Sequence, residues 1–204
     1  ERDEDIHAST AAAVLGIPIE QVTKDQRRIA KSVNFGLSYG QSAFGLAQQT
    51  GMSRSEAERF IHTYFEKYPG VLRYIERTKR QAAEQGYVET LLGRRRFFPD
   101  LAKMRGPERA RAEREAINMP IQGTAADIIK IAMGRLYRAL SERGLRARMV
   151  LQVHDELVLE TPADEVPTVV PLVREVMSSA FRLAVPLKVD VETGQNWLEM
   201  EAVA

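Results

Sequence analysis

The chain has 204 residues, 44% of them hydrophobic, which is enough for one large domain or two small ones with apolar cores. It has no cysteine, which excludes disulfides and thiolate metal sites. Its 29 basic and 28 acidic residues leave a formal net charge of +1, which does not by itself indicate a nucleic-acid partner. No apolar run is long enough to span a bilayer and no basic leader is present, so we expect a soluble protein that is not exported.

Helix signals dominate the first ninety residues. Thr23 followed by Gln26 has the form of a capping box, and so does Ser53 followed by Glu56. Each pair predicts a helix start. Together with glycine and proline stops and apolar periodicity, these signals predict four helices, at about 10–15, 24–39, 53–67 and 71–85.

The second half mixes helices with strands. A helix from about residue 107 reaches Pro120, which should bend or break it, and a second helix is expected at 122–143. Its apolar stripe, between Ile128 and Leu140, is expected to be core. Two strand-like runs joined by His-Asp-Glu predict a hairpin at about 147–160. The other expected elements are a strand at 87–91, an exposed connection at 94–96, a helix at 164–181 and a strand at 187–192.

Four side chains share one face of the helix predicted at 24–39. A step of four residues advances about 40° around a helix, so Arg27, Lys31, Phe35 and Tyr39 span about 120°. Two cations followed by two aromatics match the order of parts in a nucleoside triphosphate. Lys31 is also placed to protonate the leaving pyrophosphate. A surface helix with solvated cations and half-buried rings is the alternative.

Two adjacent carboxylates, Asp155 and Glu156, occupy the tip of the predicted hairpin. They repel each other unless a cation or a donor compensates. Two-metal nucleotidyl transfer uses such carboxylates to hold Mg²⁺. The alternative is a solvated turn, where aspartate is common. Asp190 alternates with valines and is expected to be an exposed strand residue.

One guanidinium side chain and two amide side chains follow one another at steps of four residues on the helices predicted around Pro120. Arg114, Asn118 and Gln122 suit base edges in the minor groove, sugars and phosphates near a primer terminus. A charged helix edge with incidental amides is the alternative. The arginines at 94–96 either follow the phosphate backbone or stay solvated.

Three strings of the sequence, residues 27–40, 114–127 and 151–158, resemble motifs of the family A (bacterial DNA polymerase I-like) DNA polymerases, in the family's order. The likeness extends from Asp5 to Trp197. It implies an α+β right-hand polymerase fold, with mostly helical fingers at 1–107 and part of an antiparallel-sheet palm at 108–204. We expect the thumb, the nuclease domains and the first palm segment to lie outside this chain, which starts at Glu1 and reads as a fragment of a longer, split or cleaved polypeptide.

The resemblance also implies roles for single residues. Phe35 would lie beside the sugar and base and disfavour dideoxynucleotides, and Tyr39 would lie near the templating position. Lys31 and Arg27 would contact the phosphates. The catalytic residues implied are Asp155, a metal ligand, Glu156, with a lesser role, and Lys31, while contacts to primer–template are implied for Arg114, Asn118, Gln122 and His154.

The cofactor implied by the resemblance is Mg²⁺, with two ions expected. The family's other metal-binding aspartate lies in an upstream Asp-Tyr-Ser-type motif that is not found here, and Asp5 falls instead in the family's Asp-Ile-His stretch. The partners expected are primer–template DNA, dNTPs and an N-terminal polymerase segment. That segment would supply the second aspartate, either from the same polypeptide or from another chain. No association with a membrane is expected. The location expected is the bacterial cytoplasm, at the nucleoid.

The implied function is template-directed DNA synthesis in replication and repair, by nucleotidyl transfer from dNTPs to a primer 3′-hydroxyl. Two alternatives stay open. One is a fragment of a phage-type RNA polymerase, which shares an arginine-lysine-tyrosine helix and a His-Asp turn. The other is an inactive fragment that binds DNA or nucleotide and needs the upstream segment. Phe35, Glu156 and the unbroken match elsewhere favour DNA synthesis.

Overall fold

A computed structural model of the chain describes residues 5–203, without the side chain of Ser38. The chain forms two compact units, one ending at Gly123 and the other beginning at Thr124. Among the described residues, the first unit combines helices with one two-stranded antiparallel sheet and the second combines helices with two such sheets, which confirms the α+β class. The boundary expected between fingers and palm, at residues 107 and 108, stays a prediction. None of the described helices is long and apolar enough to cross a membrane.

The described elements follow one another in a simple order, with a short 3₁₀ turn at Ile19–Gln21. The helices are α1 (Ile6–Leu15), α2 (Lys24–Ser38), α3 (Ala43–Thr50), α4 (Arg54–Lys67), α5 (Pro69–Gln85), α6 (Gly106–Glu142) and α7 (Val166–Ser178). The strands are β1 (Tyr87–Glu89), β2 (Arg95–Phe97), β3 (Arg148–Val153), β4 (Glu156–Glu160), β5 (Glu192–Gly194) and β6 (Met200–Ala202).

Side-chain caps set the starts of the first helices. Both predicted capping boxes are present, at the starts of α2 and α4. The start predicted for α1 was four residues late, because Asp5 accepts hydrogen bonds from the first backbone N–H groups of the helix. The short helix α3 was not predicted. Ser42 caps its start, and Gly51 ends it in the left-handed conformation.

One face of α2 is part of the core of the first unit. Its side chains pack against α3 and α4, so the opposite face of α2 is left at the surface. This division matches the period expected of an amphipathic helix. The buried members of this core are Val33, Leu37, Leu46, Ala57, Phe60 and Tyr64.

The arginine-rich segment at 94–96 is partly a strand, and its prediction as a plain connection was wrong. β1 and β2 pair in antiparallel register. Arg95 forms an ion pair with Glu89 at 3.2 Å, and its guanidinium lies 4.3 Å from the centre of the Tyr87 ring. Arg96 pairs with Glu115 of α6. These partners hold the two arginines in the sheet.

The helix α6 runs through Pro120 without a break, so the two helices predicted there are one. A proline removes one backbone hydrogen bond, but burial on both sides of it offsets that loss. Ala116 and Ile117 are buried before the proline, and Ala132, Leu136 and Leu140 after it. The core role predicted for the stripe from Ile128 to Leu140 holds at these last three positions.

The second unit contains the predicted hairpin. β3 and β4 pair in antiparallel register, with Val153 opposite Glu156. α7 is shorter at both ends than the predicted helix. The strand predicted at 187–192 was wrong, since residues 187–191 are irregular and pairing begins at Glu192, where β5 meets β6. Asp190 is exposed as expected, but it lies outside any strand.

Candidate nucleotide and nucleic-acid site

The structure places the four predicted nucleotide-binding residues along one exposed face of α2 and its cap. Arg27, Lys31 and Phe35 belong to the helix, and Tyr39 is the cap residue that follows it. We call these four residues the α2 stripe. The Phe35 and Tyr39 rings are nearly parallel, with centroids 6.5 Å apart and planes inclined by 18°. Phe35 is 48% exposed and Tyr39 39%, so two flat apolar surfaces remain open to a ligand.

The first cation of the α2 stripe has an acidic partner that the sequence did not predict. Arg27 donates a hydrogen bond from Nε to Oδ2 of Asp5, at 2.5 Å. The other carboxylate oxygen, Oδ1, accepts from the backbone N–H groups of His7 and Ala8, at 2.9 and 3.0 Å. The hydrogen bond from Arg27, followed by that from Ala8, lowers the pKa of Asp5 to about 2. Asp5 is therefore ionised near neutral pH.

His7 also lies beside the α2 stripe. Its ring centroid is 5.6 Å from that of Phe35, and its Nδ1 lies 3.1 Å from Nδ2 of Asn34. Burial is the largest influence on the imidazole and lowers its pKa, with Arg27 and Lys31 acting in the same direction and Asp5 against them. A neutral ring can accept the Asn34 amide hydrogen at Nδ1. The sequence motif Asp5-Ile6-His7 was the available signal for both residues.

Two of the predicted DNA contacts are exposed on α6, and one is not. Arg114 and Gln122 are open to solvent, whereas Asn118 is partly buried. The Oδ1 atom of Asn118 is buried and has no hydrogen-bond partner among the described residues. Such an atom costs free energy until a donor reaches it, which suits a contact made only when a ligand is bound.

The end of α2 approaches α6 closely within the first unit. A Cβ atom added at Gly40 would lie 3.1 Å from Cγ of Arg114 and 3.1 Å from Cδ1 of Ile117. Tyr74 of α5 donates a hydrogen bond from its hydroxyl to the backbone carbonyl of Ile117, at 2.7 Å. Arg114 is therefore held next to the residue that follows Tyr39, the last member of the α2 stripe.

The predicted metal-binding hairpin turns through two residues, His154 and Asp155. Both are exposed, as is Glu156, which begins β4. His154 is the one described residue other than glycine with a positive φ, at 52°. Gln152 donates a hydrogen bond from Nε2 to the carbonyl oxygen of His154, at 2.6 Å.

A buried carboxylate fixes the other end of this hairpin. Glu165, just before α7, accepts hydrogen bonds from the backbone N–H groups of Arg146 and Ala147. It also accepts one from Nε of Arg146, at 2.9 Å. The backbone bond from Arg146 is the largest cause of the lowered pKa of Glu165. The start of β3 is thus attached to the helix that packs beneath it.

Two adjacent candidate ligands for Mg²⁺ lie at the hairpin tip. The exposed carboxylates of Asp155 and Glu156 offer the oxygen ligands that Mg²⁺ prefers. Across residues 5–203, no group of three histidine or acidic side chains is arranged to hold a metal ion. Both carboxylate oxygens of Asp5 already accept hydrogen bonds, one from the start of α1 and the other from Arg27.

Relatives of this chain are DNA polymerases. The family model described as DNA polymerase family A matches residues 1–199. The chain is 56% identical to DNA polymerase I of Pseudomonas aeruginosa over 97% of its own length and 22% of that protein. It is 50% identical to the thermostable DNA polymerase I of Thermus aquaticus, over 95% of the chain and 23% of the relative. The chain thus spans about a fifth of the length of these relatives.

A solved structure has the same fold over most of the chain. The POL domain of Pol1 from M. smegmatis, in complex with DNA primer-template and dNTP, superposes with a TM-score of 0.86 at 45% identity. The match covers 91% of this chain and 33% of that one. The family match over nearly the whole length, the identities and the shared fold agree. The chain belongs to DNA polymerase family A.

Proposed function

We propose that this chain is the fingers and most of the palm of a right-hand polymerase that carries out template-directed DNA synthesis. The observation that carries the proposal is the α2 stripe. It presents two exposed cations and then a nearly parallel pair of exposed rings on the face opposite the core. The relatives, which are DNA polymerases, favour this function over a phage-type RNA polymerase.

The α2 stripe binds the incoming nucleotide. Phe35 and Tyr39 offer flat surfaces to the sugar and base, and Lys31 lies one turn before Phe35, about 6 Å along the helix axis. Its ammonium group balances the charge that develops on the leaving pyrophosphate and donates a proton to it. Arg27, another turn away, contacts the end of the triphosphate through its planar fork.

The hairpin tip supports the reaction at the primer end. Asp155 is a catalytic metal ligand, and Glu156 is a nearby carboxylate of lesser effect. Family A DNA polymerases generally use Mg²⁺, which lowers the pKa of a bound hydroxyl and neutralises phosphate charge. The second aspartate comes from an upstream polymerase segment. His154 contacts the primer terminus from the same turn.

Contacts along α6 position the primer–template. Arg114 offers a charged fork to a phosphate or base edge, and the exposed amide of Gln122 offers both a donor and an acceptor. The buried Oδ1 of Asn118 gains the donor that it lacks within residues 5–203. These roles explain why exposed and partly buried polar groups follow one another on a single helix.

Primer extension tests the proposal. We expect no Mg²⁺-dependent extension by these 204 residues alone, and extension when the upstream polymerase segment is present, in the same polypeptide or in trans. Synthesis by the isolated chain would contradict the need for an outside carboxylate. A completed enzyme that extends primers with ribonucleotides as readily as with dNTPs would support the RNA polymerase alternative. A completed enzyme that binds dNTP or primer–template without extending the primer would support the second alternative, an inactive fragment that only binds DNA or nucleotide.

A matched pair of variants tests the α2 stripe itself. Lys31→Ala should lower the rate of extension about 100-fold or more, because both charge balance and proton donation are lost. Arg54→Ala removes an exposed cation from a different helix, α4, where Arg54 pairs with Glu58 at 2.9 Å, and should change the rate less than twofold. Equal effects of the two substitutions would contradict the role assigned to Lys31.

A further inference from the structure

Asp5 connects the start of α1 to the first cation of the α2 stripe. We infer that Asp5 is a positioning residue for the incoming nucleotide, holding Arg27 so that its guanidinium meets the terminal phosphate of a triphosphate. The inference rests on the proposed function of the α2 stripe. It adds a role for a carboxylate that binds neither metal nor nucleotide and acts only through Arg27.

The contact between the two side chains leaves most of the guanidinium available. Asp5 engages Nε of Arg27 through one oxygen. The two terminal nitrogens carry four further N–H donors, and none of them has a hydrogen-bond partner among residues 5–203. Two parallel N–H donors match two oxygens of a phosphate group. Asp5 therefore fixes Arg27 through Nε and keeps its terminal nitrogens for a ligand.

Asp5 is itself held in place. Its second oxygen caps α1, where it accepts from two backbone N–H groups. α1 is in turn attached to α2 through Asn34, whose amide nitrogen lies 3.1 Å from Nδ1 of His7 and 3.0 Å from Oγ1 of Thr10. The Arg27 side chain is 45% exposed, so without Asp5 it would sample many rotamers. Fixing it beforehand lowers the entropy lost when a phosphate binds.

The position of Arg27 on the helix selects the phosphate that it reaches. Arg27 lies eight positions before Phe35, a rise of about 12 Å along the axis, with Lys31 midway. If the nucleoside lies on the rings of Phe35 and Tyr39, Lys31 is next to the phosphates near the sugar and Arg27 is next to the farthest phosphate. Removing Asp5 should then weaken the binding of a triphosphate more than that of a diphosphate.

The negative charge of Asp5 has an opposing effect, since it repels the phosphates. Asp5 and Arg27 are both partly exposed, with 40% and 45% of their side chains accessible, so salt and water screen this repulsion. Salt does not screen the orientation of a side chain held by a short hydrogen bond. Positioning should therefore outweigh repulsion, and removal of the carboxylate should weaken binding.

Asp5→Asn tests the inference with little disturbance of α1, because asparagine caps a helix about as well as aspartate. Asp25→Asn is the matched control: Asp25 pairs with Arg28 on the same helix at 3.2 Å, outside the α2 stripe. Dissociation constants for a dNTP and the matching dNDP are measured with Mg²⁺ in the polymerase polypeptide that contains this chain. Asp5→Asn should raise the constant for the dNTP about three- to tenfold and that for the dNDP less than twofold. Asp25→Asn should change neither, and Asp5→Glu should recover part of the loss.

Three results would overturn the inference. An equal loss for dNTP and dNDP would mean that Asp5 supports the fold alone. Tighter dNTP binding by Asp5→Asn would mean that the carboxylate competes with the phosphate. No difference from Asp25→Asn would mean that Arg27 needs no partner. An Arg27→Ala variant with unchanged dNTP binding would instead contradict the proposed function of the α2 stripe.

Discussion

Gln152 and His154 are joined by a hydrogen bond of 2.6 Å from a side-chain amide to a backbone carbonyl, across the turn that carries Asp155. His154 has a φ of 52°, and Asp155 does not share the positive sign. A two-residue hairpin loop with a positive φ at its first position alone has the signature of a type II′ turn, in which glycine is preferred at that position. The bond to Gln152 holds the peptide group that precedes Asp155, so it compensates for a residue poorly suited to its conformation.

Substitutions at this turn should have opposite effects on stability. His154→Gly should raise the free energy of unfolding by about 1 kcal/mol, because a Cβ atom disfavours this conformation. Gln152→Ala should lower it by up to about 1 kcal/mol through loss of the hydrogen bond. Chemical denaturation of the chain measures both. Destabilisation by His154→Gly would show that the histidine side chain itself supports the turn.

Asp155→Ala should abolish primer extension by the completed enzyme and leave primer–template binding within about twofold, because a metal ligand contributes to the chemical step more than to DNA affinity. Single-turnover extension and equilibrium DNA binding give the two measurements. Glu160→Ala is the control, since Glu160 is an exposed carboxylate at the far end of β4, the strand that follows Asp155, and is paired with Arg148. Parallel loss of synthesis and DNA binding in Asp155→Ala would contradict the metal role.

Phe35→Tyr should increase incorporation of dideoxynucleotides. The ring is 48% exposed, so a hydroxyl can be added without repacking the core, and it can make hydrogen bonds in place of those of the missing 3′-hydroxyl. Competition between a dNTP and its dideoxy counterpart measures the effect. Phe44→Tyr is the control, because Phe44 is also exposed and lies outside the α2 stripe. Unchanged discrimination in Phe35→Tyr would refute its placement beside the sugar.

Two glycines of α6 should respond oppositely to alanine. A Cβ atom at Gly123 would lie 2.6 Å from the Cγ2 methyl of Thr90, which is buried and whose hydroxyl accepts hydrogen bonds from the backbone N–H groups of Leu92 and Arg94. At Gly134 nothing lies within 4 Å. Gly134→Ala should stabilise the chain by about 0.5–1 kcal/mol through helix propensity. Gly123→Ala gains the same helix propensity but adds the cost of overpacking against Thr90. The net effect should be a destabilisation of the chain by roughly 1 kcal/mol. Thermal unfolding of both variants checks the signs.

Acid should remove the stabilising effect of Asp5. The folded pKa of this carboxyl is lowered from 3.8 to about 2 by Arg27 and the backbone of α1, so its contribution is fully present above pH 3.8. The contribution is lost as pH falls from 3.8 towards 2, because the protonated form makes neither an ion pair nor a charged cap. Denaturation of the native chain and Asp5→Asn across this range should show two stabilities that converge. A constant difference would mean that the charge of Asp5 does not stabilise the fold.

Local sequence signals were sufficient where the stabilising partners are close in the chain. The capping pairs Thr23–Gln26 and Ser53–Glu56 predicted two helix starts, because each pair closes its hydrogen bonds within three residues. The hairpin at 147–160 was likewise predicted from alternation and a polar turn. The common face of the α2 stripe followed from helical period alone. Its function, however, was recognised only through resemblance to a family.

Only the tertiary structure decided the features that depend on distant residues. The strand at Arg95–Phe97 exists because Tyr87–Glu89 supplies its hydrogen bonds, whereas residues 187–191 pair with no strand among the described residues. α6 continues through Pro120 because buried contacts on both sides offset one missing bond. The ion pair between Asp5 and Arg27 spans 22 positions and depends on the packing of α1 against α2. The sequence by itself determined which side chains lie on one face of a helix or at one turn, because those relations are set by backbone period. Which faces meet was decided by long-range packing and hydrogen bonding.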